Sequence, residues 1–320
     1  MRFERCDESA GIPARFELTG ATDVAATVVP SAGMNLVSLV VAGRELLRLP
    51  LPLADFMAKP KTGGVPLLHP WANRLRGDRY GFQGVEVDLG SIDGLKRDGE
   101  GLPMHGLLLR FEDWKVSSGD ATGEAWVEGA VEWADHPALM KAFPFPHRLR
   151  IRWTIRSTPS GVEATCLHAI EADAVDVPAA SGWHPYLAPG GPHDTLQLET
   201  PRMRPVSLDA TGLPVRDAAG ELARQDEADP SGPLAARCFD DLFETSGEGW
   251  TAGVIAADGT RIELVADPHW RWMQVYAPEG SDFACIEPML SPTAGLSDGD
   301  VAIVPAGTSL EASFTIRFTA

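Results

Sequence analysis

The 320-residue sequence predicts an all-β fold, a large antiparallel two-sheet β-sandwich with a few short helices. Three observations carry this prediction. Several stretches alternate apolar and polar residues with period two, helical periodicity is confined to short segments, and 32 Gly and 26 Pro punctuate the strands. With 44% hydrophobic residues the chain has enough apolar side chain for a large core, and length alone admits two ordinary domains or one large all-β unit. Strand character that persists to the C-terminus favours a single unit over residues 1–320.

Taken in order, Asp23 to Val29, Met34 to Val41 and Val85 to Leu89 read as strands, and Pro137 to Ala142 as a short helix. From Leu149 to Ser157 the alternation is clean. Leu149, Ile151, Trp153 and Ile155 lie on one face and Arg150, Arg152, Thr154 and Arg156 on the other, as a half-buried antiparallel strand requires. Thr158 to Gly161 supplies a turn, after which Val162, Ala164, Cys166, His168 and Ile170 alternate with Glu163, Thr165, Leu167, Ala169 and Glu171 as the hairpin partner. In that pairing the arginines of the first strand are expected to face the glutamates of the second.

Leu196 to Glu199 is the next strand candidate. Asp209 to Pro233, rich in Ala, Gly, Pro, Asp and Glu, is poor in core-forming residues and reads as a long surface excursion, since strands of the same character resume after it. Arg261 to Ala266, Met273 to Ala277 and Phe283 to Glu287 follow. The chain closes with Leu310, Ala312, Phe314, Ile316 and Phe318 opposed to Glu311, Ser313, Thr315, Arg317 and Thr319. No internal repeat appears at solenoid or propeller spacing.

A formal net charge of -18 opposes binding to phosphate backbones and anionic lipid surfaces, so nucleic acid and membrane partners are not expected. The N-terminal segment carries charges where a signal peptide needs an apolar stretch, and no run is long and apolar enough to span a bilayer. A cytoplasmic protein, monomer or homodimer, is the expectation. Cys6, Cys166, Cys238 and Cys285 are far apart and form no CxxC pair, which suggests reduced thiols rather than a disulfide framework or a zinc ribbon.

Against this strand background stand four short polar-aromatic motifs: PWANR at Pro70 to Arg74, MHG at Met104 to Gly106, GWHPY at Gly182 to Tyr186 and CIEP at Cys285 to Pro288. They contribute an Arg, two His and a Glu. A Glu and a His suit proton abstraction and donation, and an Arg and a Trp suit a hydroxylated ligand, so the set points to acid/base chemistry on a sugar. His69, His105, His184 and Glu287 are also metal-ligand types, but no HxH or HExxH spacing supports a metal, and none is expected. Ser181 precedes Gly182 without the GxSxG of a nucleophile elbow.

The stretch GGVPLLHPWANRLRGDRYGF from Gly63 to Phe82, followed by MHG, GWHPY, FDDLF at Phe239 to Phe243 and CIEP, resembles the aldose 1-epimerase (galactose mutarotase) family in motif order and approximate spacing over nearly the whole chain. The resemblance implies a galactose mutarotase-like β-supersandwich and interconversion of the α and β anomers of a free hexose, with no metal or organic cofactor. It further implies Glu287 as catalytic base and His184 as catalytic acid, with His105, Arg74, Asn73 and Asp240 as substrate-binding residues. Trp183 and Trp71 have two readings, platforms for the sugar ring or wholly core residues. The family often writes the FDDLF position as Asp-His, so either Asp240 or Asp241 faces the ligand.

Ring opening of a hemiacetal requires a base at the anomeric hydroxyl and an acid at the ring oxygen. Glu287 ionised and His184 protonated are the starting states this demands, and mutual proximity is expected to favour both. Two alternatives share the fold. One is an epimerase of hexose 6-phosphates or another acidic sugar, with Arg76, Arg79, Lys96, Arg97 and Arg110 as candidate anion contacts. PWANR argues against the phosphate-using group, which lacks Asn-Arg there, and leaves another acidic sugar such as a sulfonated hexose open. The other is a catalytically idle sugar-binding protein, against which retention of both Glu287 and His184 counts.

Overall fold

The computed structural model describes every residue except Ala10, Thr22, Pro60, Ser160 and Ala320. The predicted Leu149 strand extends over His147–Thr158 and its partner over Gly161–Ala172; Ser160, which falls between them in sequence, lies outside the described residues. Leu149, Ile151, Trp153 and Ile155 are fully buried, as are Ala164, Cys166, His168 and Ile170 opposite them. Period-two patterning thus sets which face meets the core.

These two strands sit inside a nine-stranded antiparallel sheet. Its order is Gly232–Pro233, Gln197–Glu199, Trp250–Ile255, Arg261–Ala266, Ser309–Thr319, Gly161–Ala172, His147–Thr158, Glu124–Glu132 and Lys115–Ala121. On its solvent face the arginines divide between neighbours. Arg150 bonds Glu171 at 2.9 Å as expected, but Arg152 and Arg156 turn to Glu128 and Glu124 on the other adjacent strand. The Glu124–Glu132 strand escaped the sequence reading because its inward residues Ala125, Val127 and Gly129 are small, while Trp126 points outward beneath the Arg152 guanidinium, 4.3 Å from its ring.

A seven-stranded sheet faces it. Arg204–Pro205, Phe239–Glu244, Trp272–Ala277, Ala284–Met289, Gly182–Trp183 and Leu67–Leu68 lie side by side in that order, and Tyr186–Leu187 pairs separately with Ala284–Met289. Side chains from its inner face, among them Leu67, Trp183, Met273, Val275 and Ile286, join the main core with Trp153, Phe314 and Ile316 of the nine-stranded sheet. A five-stranded sheet over Arg2–Glu45 adds to the same core through Phe3, Phe16, Val28 and Leu36. Among the described residues α-helices are limited to Leu53–Met57, Pro137–Ala142 and Gly295–Asp298, and no helix is long and apolar enough to cross a membrane.

The outer face of the seven-stranded sheet carries only a small apolar cluster, with Leu68, Leu242, Trp272 and Met289 capped by Val206 and Leu222. Leu222 of the cap belongs to the Asp209 to Pro233 region, which runs as a series of tight turns closed by the bridges Leu208–Pro214 and Arg216–Leu222. This region is clamped to the Gly295–Asp298 helix by Arg76 and Arg216, which share the Asp298 carboxylate. What the apolar cluster leaves uncovered on this face is polar.

Candidate active site

Register explains which polar groups converge. Gln274 lies directly opposite Glu287 and Tyr276 opposite Cys285, while Tyr276 in turn pairs with Asp240 across the sheet. Residues i and i+2 share a face, so Gln274, Tyr276, Glu287 and Asp240 project to the same outer side. Gly182 pairs with Met289 and Leu68, and His184 continues that strand by donating its backbone N–H to the Pro66 carbonyl at 3.1 Å. The His184 ring therefore emerges on the outer side too. A Cβ on Gly182 would sit 2.8 Å from Met289 Cγ and 2.9 Å from the Pro288 carbonyl, so the strand fits only with glycine there.

His184 Nε2 lies 3.3 Å from Glu287 Oε1, and both side chains are buried. Tyr186 stacks on the imidazole with ring centroids 4.5 Å apart and an interplanar angle of 7°. Its hydroxyl lies 3.4 Å from His184 Nε2 and 2.7 Å from Thr62 Oγ1. His105 meets His184 edge to face at 5.5 Å between centroids. It is delivered by a strained loop: His105 and Asn73 both adopt left-handed backbone, with φ of 64° and 51°, and the His105 N–H donates to the Asn73 carbonyl at 2.8 Å. A Cβ on Gly106 would lie 2.2 Å from the His69 carbonyl oxygen, which accounts for the glycine of the MHG motif.

Arg74 is oriented by Asp98, whose carboxylate accepts its Nε at 2.7 Å, and by Asn73 Oδ1, 2.9 Å from Nη1. Asp98 in turn accepts the backbone N–H groups of Glu100 and Leu102, so the guanidinium rests on a rigid loop. Gln274 donates its amide to Asp240 Oδ1 at 2.7 Å, which places Asp240, rather than Asp241, beside the pair.

Burial dominates the electrostatics. It pushes the His184 imidazole down to about 3, with the Lys96 charge adding to the effect, and holds His105 well below its ordinary value. It drives Glu287 well above the usual carboxylate range, aided by the negative charge of Asp240 and opposed by Arg74. This corrects the expectation that proximity would favour carboxylate and imidazolium. The two groups are adjacent, but desolvation penalises both charged forms and shifts each toward its neutral state. Several polar atoms of this cluster are buried without a partner: Glu287 Oε2, His184 Nδ1, His105 Nδ1 and Gln274 Oε1. Unpaired groups of this kind are costly unless a ligand completes them.

Similarity to known proteins agrees with this arrangement. The family model described as aldose 1-epimerase matches residues 16–317. The chain belongs to the aldose 1-epimerase family. It is 24% identical over 306 residues to YihR, an uncharacterized protein of Escherichia coli K12, covering 91% of this chain and 92% of the relative. A galactose mutarotase-like protein from Clostridium acetobutylicum superposes with a TM-score of 0.78 at 17% identity, covering 99% and 98% of the two chains. Galactose 1-epimerase from Lactobacillus acidophilus NCFM superposes with a TM-score of 0.75 at 14% identity, covering 99% and 97%. At these identities the structural likenesses show the shared fold.

Within this aldose 1-epimerase family member, six of the residues marked by the motifs gather at one place: Glu287, His184, His105, Asn73, Arg74 and Asp240. Trp183 and Trp71 do not join them: the core reading holds for both, and the ring-platform reading does not. Trp183 follows the strand alternation to the inner face, where it packs against Trp153 and Phe314 at 5.7 Å, and Trp71 is equally buried in the main core. Gln274, Tyr186 and Asp98 were missed by motif reasoning. The signal for Gln274 was its place two residues before Tyr276 in the strand beside CIEP; for Asp98, two residues after Lys96 in an otherwise unremarked loop, there was none. Among the described residues no group of three His, Cys, Asp or Glu side chains is arranged to hold a metal ion.

Proposed function

We propose that this protein is a mutarotase that interconverts the α and β anomers of a free hexose, with Glu287 as base and His184 as acid. The observation that supports this best is the buried Glu287–His184 pair 3.3 Å apart, with Glu287 Oε2 unpartnered, His105 against His184, and Arg74 and Asp240 close enough to act on the carboxylate. In the reactive state Glu287 is ionised and His184 carries a proton on Nε2. Glu287 Oε2 then takes the proton of the anomeric hydroxyl as His184 delivers its own to the ring oxygen, which breaks the C1–O5 bond and yields the open aldehyde. Rotation about C1–C2 and reversal of both transfers gives the other anomer. The sugar and the nearby Arg74 cation favour the carboxylate form on binding, since each stabilises charge that bulk water no longer solvates.

His105 and Gln274 offer unpaired polar atoms for sugar hydroxyls, and Arg74, Asn73 and Asp240 supply the remaining contacts. The chemistry needs no metal. The test is magnetisation-transfer NMR on equilibrated glucose, galactose and other hexoses with and without the protein. Acceleration of anomer exchange for at least one hexose is expected, and spontaneous rates across all sugars would remove the proposal.

A second reading, an epimerase of a sugar bearing an anionic group, is favoured by Lys96. This half-buried cation lies close enough to depress both His105 and His184 and borders a cavity of about 410 Å³ that reaches Gly106 and Arg110. Including phosphorylated and sulfonated hexoses in the same assay separates the two readings, since Lys96→Ala would then weaken binding of the anionic substrate alone.

A further inference from the structure

Beneath the candidate site, on the inner face, lies a second histidine group that the proposed chemistry does not use. Ser181 stands one residue beyond the Gly182–Leu68 pair, opposite His69, and its Oγ is 2.7 Å from His69 Nδ1. His69 Nε2 is 3.1 Å from His147 Nε2, and His147 Nδ1 is 2.7 Å from the Phe145 carbonyl. All three side chains are buried.

The proton positions in this chain follow from its last acceptor. A carbonyl only accepts, so His147 Nδ1 carries a proton, and its Nε2 is the acceptor when the ring is neutral. His69 Nε2 must then donate to it, which leaves His69 Nδ1 to accept from the Ser181 hydroxyl. Burial keeps both rings neutral, His147 down to about 4 and His69 well below its ordinary value. The result is a one-way chain of three hydrogen bonds. It crosses the sandwich from Ser181, three residues before His184, to the first residue of the His147–Thr158 strand in the opposite sheet.

The backbone of the same residues ties the rest of the site to this chain. The His69 carbonyl accepts the Leu107 N–H at 2.7 Å, next to the His105–Gly106 turn, and the Ser181 carbonyl accepts the Leu290 N–H at 2.9 Å, just past Glu287. The segment from His69 runs directly into Asn73 and Arg74. We propose that Ser181, His69 and His147 are positioning residues: their directional chain fixes the strand that carries His184 against those that carry Asn73, His105 and Glu287. A packed apolar pair would tolerate small slips here; a chain with one permitted proton arrangement does not. The proposal rests on the mutarotase reading for its kinetic consequence only.

The test compares Ser181→Ala, which deletes the first donor, with Ser181→Thr, which restores it, and with Ser181→Cys as a near-isosteric weak donor should the alanine variant fold poorly. Three quantities are read on folded protein: kcat and KM for anomer exchange, the thermal midpoint, and the His184 ring signals in long-range ¹H–¹⁵N NMR. Positioning predicts that Ser181→Ala and Ser181→Cys lose about tenfold or more in kcat with KM changed about twofold or less, and shift the His184 signals. Ser181→Thr should recover both. A purely structural role would lower the thermal midpoint but leave kcat per folded molecule and the His184 signals unchanged, and that result would overturn the proposal. If the wild-type protein accelerates no sugar, the mutarotase reading fails, while the His184 signals still decide the positioning claim.

Discussion

The two faces of the seven-stranded sheet hold the same kind of residue in different circumstances. His69 and His147 on the inner side and His105 and His184 on the outer side are all buried, and burial lowers all four. Both ring nitrogens of each inner histidine have partners; each outer histidine leaves Nδ1 without one, and Glu287 leaves Oε2. Burial and a perturbed pKa therefore do not distinguish a working histidine from a structural one in this fold. Unsatisfied hydrogen-bonding capacity beside a carboxylate does. His168, deep in the core with neither nitrogen partnered, warns that lack of a partner without a neighbouring carboxylate points to nothing in particular.

The sharpest way to break this comparison is to substitute two consecutive residues that point to opposite faces. His184→Asn should cost about 10²–10⁴-fold in anomer exchange while leaving the thermal midpoint near wild type, because it removes an acid without opening a core cavity. Trp183→Ala should do the reverse at first order. It removes a fully buried indole and is expected to cost about 3–5 kcal/mol of stability, measured by denaturant unfolding. Equal stability losses for the two would mean that the sheet does not separate chemistry from packing.

A smaller effect sharpens what the faces share. A histidine held neutral in the folded state binds fewer protons than in the unfolded chain between its folded value and about 6.5, so stability falls as pH drops through that window. For His168 and His184 the window extends down to about 3. Unfolding free energy should decline by up to about 1.4 kcal/mol per pH unit for each such histidine below about pH 6. Replacing His168 by Leu or His184 by Asn should flatten that decline by a similar amount, since burial is the principal cause in both. A slope unaffected by either change would contradict the neutral assignment. The smallest expected effect is none: dialysis against EDTA, with metal content checked by elemental analysis, should leave the exchange rate unchanged.

Much of this comparison was legible in the sequence. Period-two alternation located the long strands of the nine-stranded sheet, because there one face is wholly apolar and the other charged, as Leu149 to Arg156 illustrates. The Glu124–Glu132 strand was not legible, because small inward residues and an outward Trp blur the alternation. The motif order identified Glu287, His184, His105 and Arg74 as a set. The choice between platform and core for Trp183 could have been made from the pattern alone, since adjacent residues of a strand face opposite sides and His184 already claimed the outer one. The pKa expectation failed for a different reason. Sequence reveals which charges are near each other but not how dry their surroundings are, and here desolvation outweighs attraction. Gln274 and Asp98 act through register and loop geometry, which no local motif encodes.

The central claim is that Glu287 accepts the anomeric proton, and it is tested most directly by measuring anomer exchange with wild-type protein and Glu287→Gln on a sugar the wild type accelerates. The amide preserves shape and hydrogen-bonding reach but has no useful basicity at neutral pH. The account predicts that Glu287→Gln, shown to be folded and to retain sugar binding, returns exchange to near the spontaneous rate. A folded Glu287→Gln protein that turned over at close to the wild-type rate would contradict it.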